Sequence, residues 1–205
     1  MSGMKVGVFG TGMVGKTIAT RLIALGDEVQ MGSRTAGEGK VTYREAAQFA
    51  EIIFNCTSGQ GSLEALQMAG AEHLKGKTII DISNPLVTLP GKPPTLFTGL
   101  DDSLGERLQA AFPDAKIVKT LNTVNAAVMV DPAKLANADH TMFVAGNDID
   151  AKSSVAGILR SFGWKDVVDV GDITASRALE SYLLLWVRLW GTLKTPNFSV
   201  KLVRG

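Results

Sequence analysis

Lys5-Val6-Gly7-Val8-Phe9-Gly10-Thr11-Gly12-Met13-Val14-Gly15 is the stretch on which the fold turns. Its first five residues read as a short buried strand, and the next six match the pattern G-x-G-x-x-G. Beyond them Val14, Ile18, Leu22 and Leu25 recur at helical spacing until Gly26 closes the helix. Strand, glycine turn and helix in that order are what a dinucleotide diphosphate requires. Gly10 permits the tight turn, Gly12 lets the backbone approach the phosphates, and Gly15 lets helix and strand pack closely. The start of the helix adds free N–H groups and partial positive charge. Gly10, Thr11, Gly12, Met13, Val14 and Gly15 are accordingly assigned to cofactor binding.

The second strand, Glu28-Val29-Gln30-Met31, runs into Gly32-Ser33-Arg34. An NAD site usually places Asp or Glu here, bonded to the ribose 2′-hydroxyl. This chain keeps its acids, Asp27 and Glu28, at the opposite end of the strand. A hydroxyl and a guanidinium suit a 2′-phosphate instead, which Arg34 can bond through its rigid fork. Lys40 is a further cation within reach, and Thr11 could approach from the first turn. The cofactor expected is NADP(H).

The same alternation continues along the chain. Strands are expected at 51–56, 77–82, 116–120, 142–145 and 167–170, with helices at 42–50, 62–74, 104–112 and 173–193. Asp101-Asp102 is expected to cap the helix at 104. Asn147 and Asp150 are expected as cap and third residue of a helix ending at Gly163. No hairpin signal separates the strands. The fold class is therefore α/β, a Rossmann-type doubly wound, mainly parallel sheet with a C-terminal helix. Residues 1–205 are read as one NADP-binding domain, with 173–205 as a helical extension. One segment breaks the rhythm: residues 84–99 hold Pro85, Pro90, Pro93 and Pro94 and no periodicity. A long loop leaving the carboxyl end of a central strand is usually functional.

Composition narrows the partners. Lys and Arg total 21 against 20 Asp and Glu, a formal charge of +1, so no net field favours nucleic acid or anionic membrane. The longest apolar run, 182–187, is far shorter than the ~20 residues of a membrane span, and no signal-peptide pattern opens the chain. The single cysteine, Cys56, cannot form an internal disulfide. A soluble cytoplasmic protein is expected. His73 and His140 lack neighbours at metal-ligand spacing, and no metal site is expected. Cys56 reads as an inert buried thiol. Trp164, Trp186 and Trp190 read as core or interface anchors.

Gly-Thr-Gly-Met-Val-Gly-Lys at 10–16, Met-Gly-Ser-Arg at 31–34 and Asp-Ile-Ser-Asn-Pro-Leu at 81–86 resemble the coenzyme F420-dependent NADP oxidoreductases. The resemblance continues through Lys119-Thr120-Leu121-Asn122-Thr123, Ala145-Gly146-Asn147-Asp148 and Phe198-Ser199-Val200-Lys201-Leu202. The chain is also similar to the cytosolic reductase domain of the six-transmembrane epithelial antigen metalloreductases. The resemblance implies hydride transfer between NADP(H) and a flavin or deazaflavin, with coenzyme F420, FMN or FAD as second redox partner. It implies that Cys56, Thr57 and Ser58 lie along the cofactor. Asn84, Pro85, Asn122 and Thr123 would then meet the nicotinamide and its partner ring as the catalytic set. The chain departs from the deazaflavin enzymes at Asn122 and Asn125, where they carry His and Pro, so the acceptor stays open.

Two other functions compete. One is an NADPH-dependent reductase of a small imine or carbonyl, and the other is a non-enzymatic NADP(H)-binding redox sensor. Carbonyl or imine reduction needs a positioned proton donor. Asn84, Asn122, Thr123 and Asn125 are neutral amides and a hydroxyl, which suit a ring-to-ring transfer to a small-molecule redox acceptor. The closing helix is apolar over most of its circumference, which predicts a homodimer through that helix.

Overall fold

The computed structural model describes residues 3–205. β1 (Lys5–Phe9) passes through the glycine turn into α1 (Met13–Ala24), and β2 (Glu28–Ser33) follows. Next come β3 (Val41–Thr42), α2 (Tyr43–Phe49), β4 (Ile52–Asn55), α3 (Gly59–Ala69), α4 (Ala71–Leu74) and β5 (Thr78–Asp81). β6 (Leu86–Val87) and β7 (Thr95–Leu96) form a separate antiparallel hairpin inside the proline-rich segment. α5 (Leu104–Ala111), β8 (Lys116–Thr120), α6 (Ala126–Val130) and β9 (Thr141–Gly146) lead to α7 (Ile149–Phe162), β10 (Asp166–Asp169) and α8 (Ser176–Leu193).

Eight strands make one sheet in the order β10-β9-β8-β5-β4-β1-β2-β3. The chain steps outward from β1 to β2, then returns to pair β4 on the other side of β1. That reversal opens a crevice at the carboxyl ends of β1 and β4, where doubly wound sheets bind ligands. All pairings are parallel except β8 with β9, which run antiparallel. Side chains alternate between two cores, as the period of a strand requires. Phe54, Ile80 and Val118 face α1 and α7, packing with Ile18, Leu22 and Phe162. Ile53, Ile79 and Ile117 face the other layer with Tyr43, Leu66 and Leu108.

Several local expectations shift. The helix expected at 62–74 begins at Gly59 and breaks at Gly70, whose φ of +89° turns the chain before α4. Asp148, not Asn147, caps α7: its carboxylate accepts from Ala151 N at 2.8 Å, while the Asn147 side chain accepts from Ile173 N. Ser103, not Asp101-Asp102, caps α5, and Asp102 pairs with Arg107 instead. Residues 173–175 form a 3-10 turn ahead of α8, and the extension is helical only to Leu193. The remaining tail lies back on the body, where Thr141 N donates to Val200 O at 2.9 Å and Lys201 pairs with Asp139. α6 has no counterpart among the helices expected from the sequence. It begins where the Asn125 side chain accepts from Ala127 N and Val128 N.

Candidate functional site

The first turn is built as its glycines require. Gly10 has φ of +104° and donates its N–H to Gly32 O at 3.0 Å. A Cβ at Gly15 would sit 2.0 Å from Gly10 O, so only glycine allows α1 to approach β1 this closely. Gly12 differs. A Cβ there would meet nothing within 4 Å, so packing does not explain the missing side chain. Gly12 is also the N-cap of α1, makes no side-chain cap, and no acid occupies the first turn. Uncapped N–H groups facing open space suit a diphosphate. Thr11 and Val14 are half-buried at the turn, and Met13 is exposed.

At the end of β2, Ser33 is buried and its hydroxyl donates to Thr35 O. Arg34 extends over the start of α3, its Nη2 3.4 Å from Glu64 Oε2. Both side chains are more than half exposed, so the pair is weak and the guanidinium is free to turn to a phosphate. Burial raises the Tyr43 phenol above its ordinary range; Arg34 opposes this and Glu64 adds to it. Lys40 closes the turn after Arg34 through backbone bonds with Gly37.

Beyond the turn lies a cleft of about 370 Å³, lined among others by Val14, Thr57, Asn84, Asn122, Asn125 and Trp186. Cys56 and Ser58 border it as well. Burial pushes the Cys56 thiol far above its ordinary range, and the Asp81 carboxylate adds to the effect. Asn84 and Asn122 come from different strand ends and face each other. Asn122 Nδ2 donates to Asn84 Oδ1 at 3.0 Å and to Leu179 O at 2.9 Å, while Asn84 Nδ2 donates to Asn122 O at 3.2 Å. The preceding residue, Leu121, is fully buried with φ of +61°, a conformation disfavoured for a leucine that swings Asn122 toward Asn84. Pro85 lies just behind this surface, its carbonyl accepting from Phe97 N. Thr123 faces away, into a neighbouring apolar groove with Phe143 and Tyr182. Asn125 Nδ2 donates to Pro196 O at 2.7 Å and ties the C-terminal tail to the rim.

Beneath the cleft is a charged cluster that the sequence reading did not find. Lys119 Nζ lies 2.8 Å from Asp81 Oδ2, 2.9 Å from Glu180 Oε1 and 2.5 Å from Ser83 O. All three ionic side chains are at most 1% exposed. Burial pushes the Lys119 ammonium down, but the two carboxylates outweigh it and hold the group above its ordinary range. Asp81 Oδ1 accepts from Asn55 Nδ2 at 2.9 Å, and Asn55 Oδ1 accepts from Thr57 Oγ1 at 2.7 Å. Glu180 also accepts from Leu104 N and Gly105 N at the start of α5. A signal existed: each is a charge inside or at the end of an apolar run. Trp164 is core, Trp186 packs against Trp190 and Phe198 and also borders the cleft, and Trp190 is exposed. His140 is buried, its Nε2 3.1 Å from Pro132 O. Among the described residues no three His, Cys, Asp or Glu gather as a metal site. No helix among them is long and apolar enough to cross a membrane.

A family model described as NADP oxidoreductase, coenzyme F420-dependent, matches residues 5–85. A crystal structure from Arthrobacter sp. FB24, provisionally described as an F420-dependent NADP reductase, superposes with a TM-score of 0.94 at 46% identity. It covers 98% of this chain and 100% of that one. The F420-dependent NADP reductase of Methanocaldococcus jannaschii is 26% identical over 78% of this chain and 70% of its own. Metalloreductase STEAP3 of Rattus norvegicus is 29% identical over 91% of this chain, which spans only 38% of that protein's length.

Proposed function

Because the chain belongs to the family of coenzyme F420-dependent NADP oxidoreductases, we propose that it moves a hydride between NADP(H) and a flavin or deazaflavin ring. The observation that carries this reading is the lining of the cleft: it holds amides, hydroxyls, one unreactive thiol and apolar groups, and no His, Tyr, Lys, Asp or Glu. Reduction of a carbonyl or imine asks for a proton donor at the developing anion. Transfer between two flat rings asks chiefly for stacking at ~3–3.5 Å. NADPH supplies the hydride when bound.

In this reading Gly10 to Gly15 hold the diphosphate on the uncapped start of α1. Ser33 and Arg34, with Lys40, take the 2′-phosphate. Cys56, Thr57 and Ser58 flank the cofactor along the end of β4. Asn84 and Asn122 hydrogen-bond the polar edges of the rings, and Pro85 stiffens the segment that carries Asn84. Thr123 supports the wall from the far side. Residues 1–205 act as one cofactor-binding unit. We assign a second copy of the chain to the exposed apolar surface of α8, where Leu184, Leu185, Trp190 and Leu193 are exposed. A two-fold axis would set this face against itself.

Stopped-flow oxidation of NADPH against FMN, FAD, a 5-deazaflavin and a small cyclic imine tests the reading. Hydride transfer to at least one flavin-type ring, faster than to the imine, is expected. Transfer to the imine alone would replace it with the imine-reductase reading, and no transfer at all would favour the sensor.

A further inference from the structure

The cluster of Lys119, Asp81 and Glu180 lines no part of the cleft, yet each member stands one step behind a residue that does or that steers one. Lys119 donates to Ser83 O, and Ser83 N and Oγ both donate to Asp81 Oδ1, so the residue before Asn84 is held on both sides. Lys119 also lies on the strand that runs, through the left-handed Leu121, into Asn122. Glu180 follows Leu179, whose carbonyl accepts from Asn122 Nδ2. It lies on the same helix as Leu183 and Trp186, which form the cleft's far wall. One ammonium therefore gathers the ends of β5 and β8 with α8, and through Glu180 the start of α5.

Stability is a weak account of such a cluster. Removing three charges from water is costly, and well-packed apolar residues of similar volume hold a fold as well or better. What apolar packing lacks is direction. A buried ammonium with three oxygen partners at 2.5–2.9 Å admits few arrangements of the elements that carry them.

We propose that Lys119 and Glu180 are positioning residues: their buried ion pair sets the placement of the Asn84–Asn122 pair against the α8 wall. The inference rests on the reading of this cleft as the hydride-transfer site, and it extends that reading to two residues outside the cleft. The hydrogen bonds and ion pairs of Lys119 and Glu180 reach neither the first turn nor Arg34, so NADP(H) binding there and the placement of the asparagine pair separate.

Glu180→Gln tests it, because glutamine keeps the shape and an acceptor but removes the charge. Single-turnover NADPH oxidation by the best acceptor among FMN, FAD and a 5-deazaflavin should slow roughly tenfold to a hundredfold, the penalty of misplacing reacting groups by ~1 Å. The dissociation constant of NADPH from fluorescence titration should not change. Glu106→Gln is the control. It cuts the partly buried Arg177–Glu106 pair, another tie between α5 and α8, and should lower Tm without slowing transfer. Proton exchange at the Asn122 side-chain amide, followed by NMR in the NADP+ complex, should accelerate in Glu180→Gln and not in Glu106→Gln. Unchanged rate and unchanged amide exchange in Glu180→Gln would overturn the proposal. So would a rate that merely tracks Tm across both variants. If Glu180→Gln does not fold, Glu180→Asp, charged but one methylene shorter, must show the same separation of rate from NADPH affinity. Should the wild-type protein reduce none of the acceptors, the hydride-transfer reading fails, and the amide exchange still decides whether the cluster positions Asn122.

Discussion

Arg34→Ala is expected to weaken NADPH and spare NADH. A hydrogen bond between a guanidinium and a phosphate contributes about 1.5–3 kcal/mol. Some of that is offset, because Arg34 already contacts Glu64 Oε2 at 3.4 Å in the free protein. With side-chain exposures of 67% and 57%, this pair is screened by water, and its loss costs about 0.5 kcal/mol. The net is about 1–2.5 kcal/mol, or roughly fivefold to seventyfold in Kd. The assay is quenching of protein fluorescence by NADPH and by NADH, with 2′-phospho-AMP as a competitor lacking the nicotinamide. Glu64→Gln provides the reciprocal test: releasing Arg34 should tighten NADPH by about twofold, the same 0.5 kcal/mol returned. Equal losses for NADPH and NADH in Arg34→Ala would refute the 2′-phosphate assignment. A Glu64→Gln protein that binds NADPH more weakly would show instead that Glu64 belongs to the ligand's own contacts.

The single-turnover hydride rate should be nearly flat over roughly pH 6–8, since Cys56, the one titratable side chain among the described residues lining the cleft, is held as a thiol by burial; a sharp bell in stopped-flow would contradict this. Iodoacetamide should leave NADPH oxidation unaffected at neutral pH, because burial first, and Asp81 second, keep Cys56 a thiol; stoichiometric labelling with inactivation would show otherwise. The Arg177 guanidinium, bonded to Glu106, holds that carboxyl below the ordinary carboxylate range; burial opposes the shift, and the Ser103 hydroxyl assists it. Its folded pKa lies below the unfolded value of about 4.3, so the pair's contribution is present above that pH and fades as pH falls through the folded value. Tm measured from pH 7 to pH 3 should therefore fall less steeply in Glu106→Gln than in wild type. Trp190→Glu should convert a dimeric mass to a monomeric one in light scattering at micromolar concentration; a wild-type protein already monomeric there would remove the α8 interface.

What the chain declares locally is what its sequence made legible. Gly10, Gly12 and Gly15 act within six residues of one another, and their turn is as expected. Ser33 ends its strand and Arg34 follows directly, and the two-residue period of Ile79-Ile80 and Ile117-Val118 divides the cores as a strand must. Errors of one or two residues arose where several polar side chains compete for one helix start, as with Asn147 against Asp148 and Asp102 against Ser103. The antiparallel β9 was illegible for another reason. The segment between β8 and β9 holds α6 and two short 3-10 turns, and nothing in it states which way the next strand will run.

The charged cluster marks the limit more sharply. Glu180 meets the start of α5 across 76 residues of sequence, and Lys119 meets Asp81 across 38. No spacing rule joins such partners, yet the chain carries a hint of them. Glu180 interrupts an apolar helix on its buried face, beside Leu179 and Leu183, where a carboxylate without partners would be strongly unfavourable. Lys119 interrupts a fully buried strand in the same way. Each charge alone reads as an error in the apolar pattern. Taken together, a lysine and two acids misplaced in three separate apolar runs imply one another, because only mutual contact makes their burial tolerable. The contact then has a location. Three runs that lie at the ends of β5 and β8 and at the start of the closing helix can meet only beneath the segments that carry Asn84 and Asn122, which is where the structure brings them together.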